Sequence, residues 1–274
     1  MPEAAAVRRA PAVDTHAHIF LQGLPLVPGA TNRPQYSCTD TDYLETLDAA
    51  GVAYGVIAAP SFLGTHNDYT LECLRRQPRL RGTAIVSPDV SRQTLEAMDR
   101  DGMVGIRYSL RRYPDVPDFT APSYRRLLRE VADLGWHVHI LAESERLAVM
   151  VPALADSGVK LVIDHFGLPQ GPDCRGLQAI LRALQGGRTW VKLSAPYRLG
   201  AATSESLAAL YLREAGPERL LWASDWPWVG HEGQFNYADT IRWFEECIPD
   251  PAVRAQIDAN AMALYRFEDT RWKT

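Results

Sequence analysis

Short apolar runs alternate along the chain with longer segments whose apolar residues recur at helical spacing. Eight of these runs are rich in β-branched residues and nearly continuous, covering 12–20, 52–60, 82–86, 104–108, 137–142, 160–165, 190–194 and 220–224. Continuous apolar runs of this length are typical of strands in a parallel sheet that is buried on both faces. The pattern therefore predicts eight parallel strands.

Amphipathic segments separate the predicted strands, and two more follow the last strand. They cover 39–50, 65–77, 91–101, 121–134, 143–157, 174–184 and 204–214, and then 235–246 and 251–264. A strand followed by a helix, repeated eight times in about 250 residues, predicts a (β/α)8 TIM barrel, with a doubly wound open sheet as the main alternative.

Domain organisation follows from what separates these elements. The chain contains no Pro- or Ser-rich linker, no charge block and no low-complexity tract. We therefore expect a single α/β domain over residues 1–274, with extra C-terminal helices. Residues 1–11 lack the apolar core of a signal peptide, so we expect them to be a frayed N-terminus.

Composition excludes several classes of protein. The 274 residues include 29 basic and 33 acidic side chains, a formal net charge of −4, which gives no electrostatic reason to bind nucleic acid. No stretch approaches the ~20 apolar residues of a membrane span. The four cysteines are far apart and show no disulfide or zinc spacing. We expect a cytoplasmic protein with a small-molecule partner, and the sequence leaves a homo-oligomer open.

Polar and ionisable residues end six of the eight predicted strands. In a parallel barrel these ends meet at one mouth, where such residues are candidates for chemistry. They are His16, His18, Ser61, Arg107, His165, Lys192, Ser194 and Asp225. Any one of the histidines alone is more often a satisfied core residue, but their convergence at one end of the barrel favours an active site.

Three histidines and one aspartate are the strongest catalytic candidates. His16 and His18 lie two residues apart on a strand, so they face the same side and can share a metal or donate to one oxygen. His165 adds a third imidazole at the end of strand six. Asp225 ends strand eight and is the candidate general base for water, the alternative being a structural role in capping the next turn.

The order of these motifs resembles the amidohydrolase superfamily, and within it the amidohydrolase-2 branch that contains lactonases. The resemblance covers nearly the whole chain. It is carried by residues 16–18, 163–165 and 224–227, with 60–67, 105–107, 135–138 and 191–198. It implies a hydrolase that opens a small carboxylated lactone similar to 2-pyrone-4,6-dicarboxylate.

The chain departs from the metal-dependent members of that superfamily at strand five. Those members carry a histidine where this chain has Leu141. His139 lies one layer deeper than Leu141, and we interpret it as a core or supporting residue. The resemblance to the lactonases therefore implies a metal-free site. If a single divalent metal such as zinc binds, its expected ligands are His16, His18 and Asp225.

The expected mechanism is hydrolysis by a water molecule that Asp225 deprotonates, while the three imidazoles polarise the lactone carbonyl and hold the developing oxyanion. Arginines fix substrate carboxylates through their planar fork, and hydroxyl groups add further contacts. The expected substrate-binding residues are Arg107, Arg112, Arg198, Ser61, Tyr36 and Lys192. Lys192 either acts in the site or braces Asp225 and strand seven.

Two other functions remain as alternatives. A metal-dependent decarboxylase of an aromatic or unsaturated carboxylic acid would need a stably bound metal. A barrel that binds a ligand without turnover would need an inert Asp225. Metal content and the effect of Asp225→Asn distinguish these hypotheses, whereas the identity of the substrate is not fixed by the sequence.

Overall fold

A computed structural model describes residues 10–111, 116–199 and 204–269. Its eight strands form one parallel sheet in which each strand pairs with the next in chain order. The strands are β1 (Val13–Ala17), β2 (Tyr54–Ala58), β3 (Leu80–Ala84), β4 (Met103–Ser109), β5 (His137–Leu141), β6 (Lys160–Ile163), β7 (Thr189–Leu193) and β8 (Leu220–Trp222).

The sheet closes where β1 meets the segment that follows β8. Ala17 forms a parallel bridge with Trp226, and the backbone N–H of His18 donates to the Trp226 carbonyl at 2.8 Å. The predicted (β/α)8 barrel is therefore confirmed. This seam also brings the end of β1 beside the residues that follow β8.

Helices surround the barrel. They are α1 (Asp40–Ala50), α2 (Asp68–Arg76), α3 (Arg92–Arg100), α4 (Pro122–Asp133), α5 (Ser144–Asp156), α6 (Arg175–Gln185), α7 (Ser204–Ala215), α8 (Tyr237–Cys247) and α9 (Pro251–Leu264). Short 3-10 helices follow three strands, at Ser61–Leu63, His165–Gly167 and Pro196–Arg198, and a fourth, Pro217–Arg219, precedes β8.

Local sequence explains where helices begin and end. The Thr39 side chain accepts from the backbone N–H of Asp42, whose carboxylate accepts from the Thr39 backbone in return. This capping box starts α1. Gly51 ends the helix with a φ of 73°, a left-handed conformation that glycine adopts without steric cost.

Of the two helices after β8, α8 completes the barrel and α9 is the extra one. Leu264 of α9, with Tyr265 and Phe267 behind it, packs against valines at the amino ends of several strands. The lower end of the barrel is thereby filled with apolar side chains, opposite the mouth where the strands end. Within the described ranges, no helix has the length and apolar character needed to cross a bilayer.

Some predicted boundaries differ from the structure. The strand predicted over 220–224 ends at Trp222, because Ser224 and Asp225 turn away to bond with residues of β1. The helix predicted over 65–77 begins at Asp68, and before it the backbone N–H of His66 bonds back to the carbonyl of Leu63 in a turn. Residues 1–9 of the expected frayed segment, and Arg112, lie outside the described residues.

Candidate active site

A cavity of about 330 Å³ opens at the carboxyl ends of the strands. Residues 27–32, in the loop between β1 and α1, form one wall. The other lining residues come from the ends of several strands and the loops after them, and they include His18, Ser61, Arg107, Arg111, Leu141, His165, Arg198 and Asp225. The cavity therefore lies where parallel barrels build their active sites.

Three imidazoles and one carboxylate converge on the cavity floor. His16 Nε2 lies 3.3 Å from His18 Nε2 and 3.5 Å from Asp225 Oδ1. The same carboxylate oxygen lies 3.9 Å from His18 Nε2 and 3.7 Å from His165 Nε2. The structure thus brings together the four residues that the sequence named as the catalytic set, while their catalytic roles stay predictions.

Two of these residues adopt an unusual backbone conformation. Asp225 has a φ of 63° and His165 a φ of 47°, in the left-handed region that residues other than glycine rarely occupy. Each follows the apolar end of its strand with one polar residue between, Ser224 before Asp225 and Asp164 before His165, and the turn redirects its side chain into the mouth of the barrel. Backbone strain of this kind concentrates at functional sites.

The hydrogen bond that Nδ1 of each imidazole makes determines whether its Nε2 carries a proton or a lone pair toward the cavity. His18 Nδ1 lies 2.7 Å from the Ala58 carbonyl oxygen, which can only accept, so Nδ1 carries the proton and Nε2 presents a lone pair. His16 Nδ1 lies 3.0 Å from Asp164 Oδ1, which favours the same tautomer. His18 can therefore donate to a substrate oxygen only as the imidazolium.

Burial opposes that imidazolium form. Loss of hydration, with a further contribution from the positive charge of Arg107, lowers the pKa of His18 to about 4. Burial likewise lowers the pKa of His165 to about 4. His165 Nδ1, however, lies 2.8 Å from the Ser194 hydroxyl, which can donate or accept. His165 can therefore carry its proton on Nε2 and donate it into the cavity while remaining neutral.

The floor also fits a divalent cation. One ligand atom each from His16, His18 and Asp225 lies within 4.8 Å of the others. Imidazoles at metal sites usually donate their second N–H to a carboxylate or a backbone carbonyl, as His16 and His18 do. These three residues, which the sequence named as the ligands of a metal if one binds, are therefore candidate metal ligands.

The second carboxylate oxygen of Asp225 is held by two donors. Oδ2 accepts from the Tyr197 hydroxyl and from Arg198, whose Nη2 lies 2.9 Å away. Burial opposes ionisation of Asp225, but His165 and the Arg198 guanidinium outweigh it and hold the pKa of the carboxyl well below its usual range. Asp225 is thus a carboxylate whose Oδ1 faces the imidazoles. Arg198, expected to bind substrate, lines the cavity while paired with Asp225.

A buried charge network supports the floor from below. Asp164 Oδ1 accepts from His16 Nδ1 and His139 Nε2 and lies 3.4 Å from Lys192 Nζ, while Oδ2 accepts from Arg107 Nη2 at 3.1 Å. Burial alone would raise the pKa of Asp164, but its contacts with His139, His16 and Lys192 hold it well below the usual range. The network fixes His16 from the side opposite the cavity. His139 bonds to Asp164 within this network and is therefore a supporting residue.

Two residues expected to contact substrate lie elsewhere in the described structure. Lys192 is fully buried and braces Asp164, because its side chain runs inside the barrel below the floor. The Tyr36 hydroxyl donates to Glu232 at 2.8 Å in an exposed contact, and Tyr36 is not among the residues that line the cavity. Arg112 cannot be placed, since it lies outside the described residues, but its neighbour Arg111 lines the cavity.

Sequence reasoning missed two residues of the site, Asp164 and Tyr197. Asp164 has a sequence signal, since it is an acidic residue between the apolar end of a strand and a candidate catalytic histidine. Tyr197 has no comparable signal, because its role depends on the 3-10 turn that places its hydroxyl against Asp225.

A (β/α)8 barrel with this imidazole and carboxylate floor belongs to the amidohydrolase class of enzymes. The sequence profile of the Amidohydrolase family (Amidohydro_2) matches residues 13–267, and the chain belongs to that family.

Several known proteins are similar along most of the chain. The 2-pyrone-4,6-dicarboxylate hydrolase of Comamonas testosteroni is 27% identical over 283 aligned positions, covering 94% of this chain and 91% of that protein. The 4-sulfomuconolactone hydrolase of Hydrogenophaga intermedia is 25% identical over 240 positions, covering 81% of this chain and 76% of that protein. A crystal structure from Pseudomonas putida, described as a candidate 2-pyrone-4,6-dicarboxylic acid hydrolase, superposes with a TM-score of 0.86 at 36% identity, covering 95% of this chain and 99% of that one.

Proposed function

We propose that this chain hydrolyses a small lactone that carries at least one carboxylate. The observation that carries the proposal is Asp225 Oδ1, an ionised oxygen on the floor of a cavity that three arginines line. The cavity volume of about 330 Å³ lies at the small end of ligand sites, which suits a single ring with its substituents. Relatives named for the hydrolysis of a pyrone dicarboxylate and a sulfomuconolactone support the same class of substrate.

In the proposed reaction, Asp225 Oδ1 takes a proton from a water molecule and the hydroxide adds to the lactone carbonyl. The N–H on His165 Nε2 donates to the oxyanion that forms. Collapse of the tetrahedral intermediate breaks the bond between the carbonyl carbon and the ring oxygen, and the proton on Asp225 passes to that oxygen. The product is an open-chain acid with a new carboxylate.

The residues on the floor suit a metal-assisted form of this reaction. A divalent cation held by His16, His18 and Asp225 would polarise the lactone carbonyl and lower the pKa of water. The metal-free site expected from the sequence needs His18 to donate from Nε2, whereas its bond to the Ala58 carbonyl leaves a lone pair there. The tautomer of His18 therefore supports the metal-bound form over the metal-free one.

The decisive experiment measures lactone hydrolysis with defined metal content. The purified protein, before and after dialysis against a chelator and after addition of Zn²⁺ or Mn²⁺, is incubated with 2-pyrone-4,6-dicarboxylate and with 4-sulfomuconolactone. We expect ring opening that falls on chelation and returns with metal. Full activity at negligible metal content would instead establish the metal-free site.

Uncharged lactones and aromatic acids serve as comparison substrates in the same assay. An uncharged lactone of similar size is expected to be a poorer substrate by about 100-fold in kcat/KM, because it has no carboxylate that the cavity arginines can bind. If no lactone is hydrolysed but a carboxylated aromatic acid releases CO2, the chain is a decarboxylase. If neither reacts, hydrolysis of these lactones is excluded, which favours a binding role.

Arg107 provides a test of the substrate charge. Its Nε has no hydrogen-bond partner within the described part of the chain, although the guanidinium is buried and lines the cavity. Arg107→Lys keeps the charge beside Asp164 but loses the planar fork, so kcat/KM for the dicarboxylate should fall about 10- to 100-fold. The exposed Arg129→Lys is the matched control. An equal loss with the uncharged lactone would contradict the assignment.

A further inference from the structure

The Asp14 carboxylate lies outside the cavity lining but bonds to β1 and to the segment that follows β8. Asp14 is fully buried on β1, two residues before His16. Its Oδ1 accepts from the backbone N–H of His16 at 3.2 Å and from the backbone N–H of Ser224 at 2.9 Å. One oxygen therefore holds a residue with a floor imidazole and the residue directly before Asp225.

The second oxygen of Asp14 extends this link beyond Asp225. Oδ2 accepts from the Ser224 hydroxyl at 2.5 Å and from the Tyr237 hydroxyl at 3.0 Å. The Ser224 hydroxyl oxygen in turn accepts from the backbone N–H of Trp226 at 3.0 Å. Through Ser224, the carboxylate fixes the residue on each side of Asp225.

Asp225 itself sits between these two fixed residues with a φ of 63°. An aspartate enters the left-handed region at a modest energetic cost, and the contacts around it decide whether it stays there. Its N–H donates to the His16 carbonyl at 3.0 Å, so its position also depends on β1. Loss of the Ser224 hydroxyl would free the turn on both sides and let Asp225 relax away from the imidazoles.

We propose that Asp14 and Ser224 form a positioning pair that holds Asp225 in its left-handed conformation and thereby aims Oδ1 at His16 Nε2. Neither residue touches the substrate or the reacting atoms. The inference rests on the proposed function only in taking Asp225 as the group that acts on water. The positioning itself is a statement about geometry and can be tested without an activity.

The kinetic test compares two serines that are equally buried. Ser224→Ala is expected to lower kcat about 10- to 100-fold, because displacement of a reacting group by about 1 Å has effects of that size. KM should change less than about threefold, since the cavity arginines are untouched. Ser144→Ala, which removes a buried hydroxyl at the start of α5, is the control for lost stability and should leave kcat unchanged.

The structural test is a crystal structure of Ser224→Ala, with Asp14→Asn as the second variant if the first does not fold. Asp14→Asn keeps an acceptor for the two backbone N–H groups but loses the acceptor for the Ser224 hydroxyl. We expect the backbone of Asp225 to leave the left-handed region, or the distance between its Oδ1 and His16 Nε2 to change from 3.5 Å by more than the coordinate error of the crystal structure. An unmoved Asp225 in the variant would overturn the inference. If the unmodified protein opens no lactone, the proposed function fails while this comparison still decides the positioning.

Discussion

Asp225→Asn is expected to lower kcat for lactone hydrolysis by about three to four orders of magnitude. Asparagine has nearly the same shape, and its carbonyl oxygen can still accept from Tyr197 and Arg198. It removes the negative charge and the basic oxygen that faces the three imidazoles. The loss should therefore appear in kcat, and the melting temperature should fall as well because Arg198 loses its counter-charge. Steady-state kinetics with a thermal melt measures both.

A control variant tests whether the loss of kcat is specific to Asp225 or follows from any substitution of aspartate by asparagine. Asp133→Asn alters an exposed carboxylate at the end of α4 and should leave kcat unchanged. Turnover by Asp225→Asn at the rate of the unmodified protein would show that Asp225 does not activate water. The role of Asp225 would then be structural, in the turn that follows β8.

The second large effect is expected on stability. Asp164→Asn should destabilise the fold by about 3 to 5 kcal/mol, because Lys192 and Arg107 remain buried without their counter-charge. For a chain of this size the melting temperature should fall by roughly 5 to 10 °C. Denaturant unfolding monitored by circular dichroism gives the free energy directly.

A double variant tests whether the charge network causes the loss. Lys192→Met removes one of the stranded charges, so Asp164→Asn combined with Lys192→Met should lose less stability than the sum of the two single variants. Strict additivity would show that Asp164 and Lys192 are not coupled. Asp133→Asn again serves as the surface control.

The pH dependence of the stability of the unmodified protein should reflect the same charge network. The pKa of Asp164 in the folded protein lies below the unfolded value of about 4. Its stabilising contribution is therefore complete above that pH and is lost as the pH falls through the depressed pKa. In acid titrations, the stability of Asp164→Asn should lack this part of the pH dependence.

The barrel and most of its floor could be predicted from local sequence, for reasons that are physical. A strand buried on both faces must be apolar along its length, so a histidine or aspartate at its end is conspicuous. This is why His16, His18, His165 and Asp225 were recognisable without coordinates. The topology then brings the strand ends together, because parallel strands in a closed barrel share one mouth.

Contacts between distant residues could not be predicted in this way. The bond between His16 and Asp164 joins residues 148 positions apart, and no local pattern encodes it. The bond between the Tyr36 hydroxyl and Glu232 is of the same kind, since it joins residues 196 positions apart. Likewise, the tautomer of His18 depends on one carbonyl oxygen of β2, which the sequence cannot place.

The apolar plug under the barrel has a consequence for ligand traffic. Because Leu264, Tyr265 and Phe267 fill the lower end, substrate and product must share the mouth, past the same arginines. Ring opening creates a carboxylate, so the product of the proposed reaction is more strongly attracted to those arginines than the lactone was. Release of the product, and not only cleavage of the ring, then limits the rate of turnover.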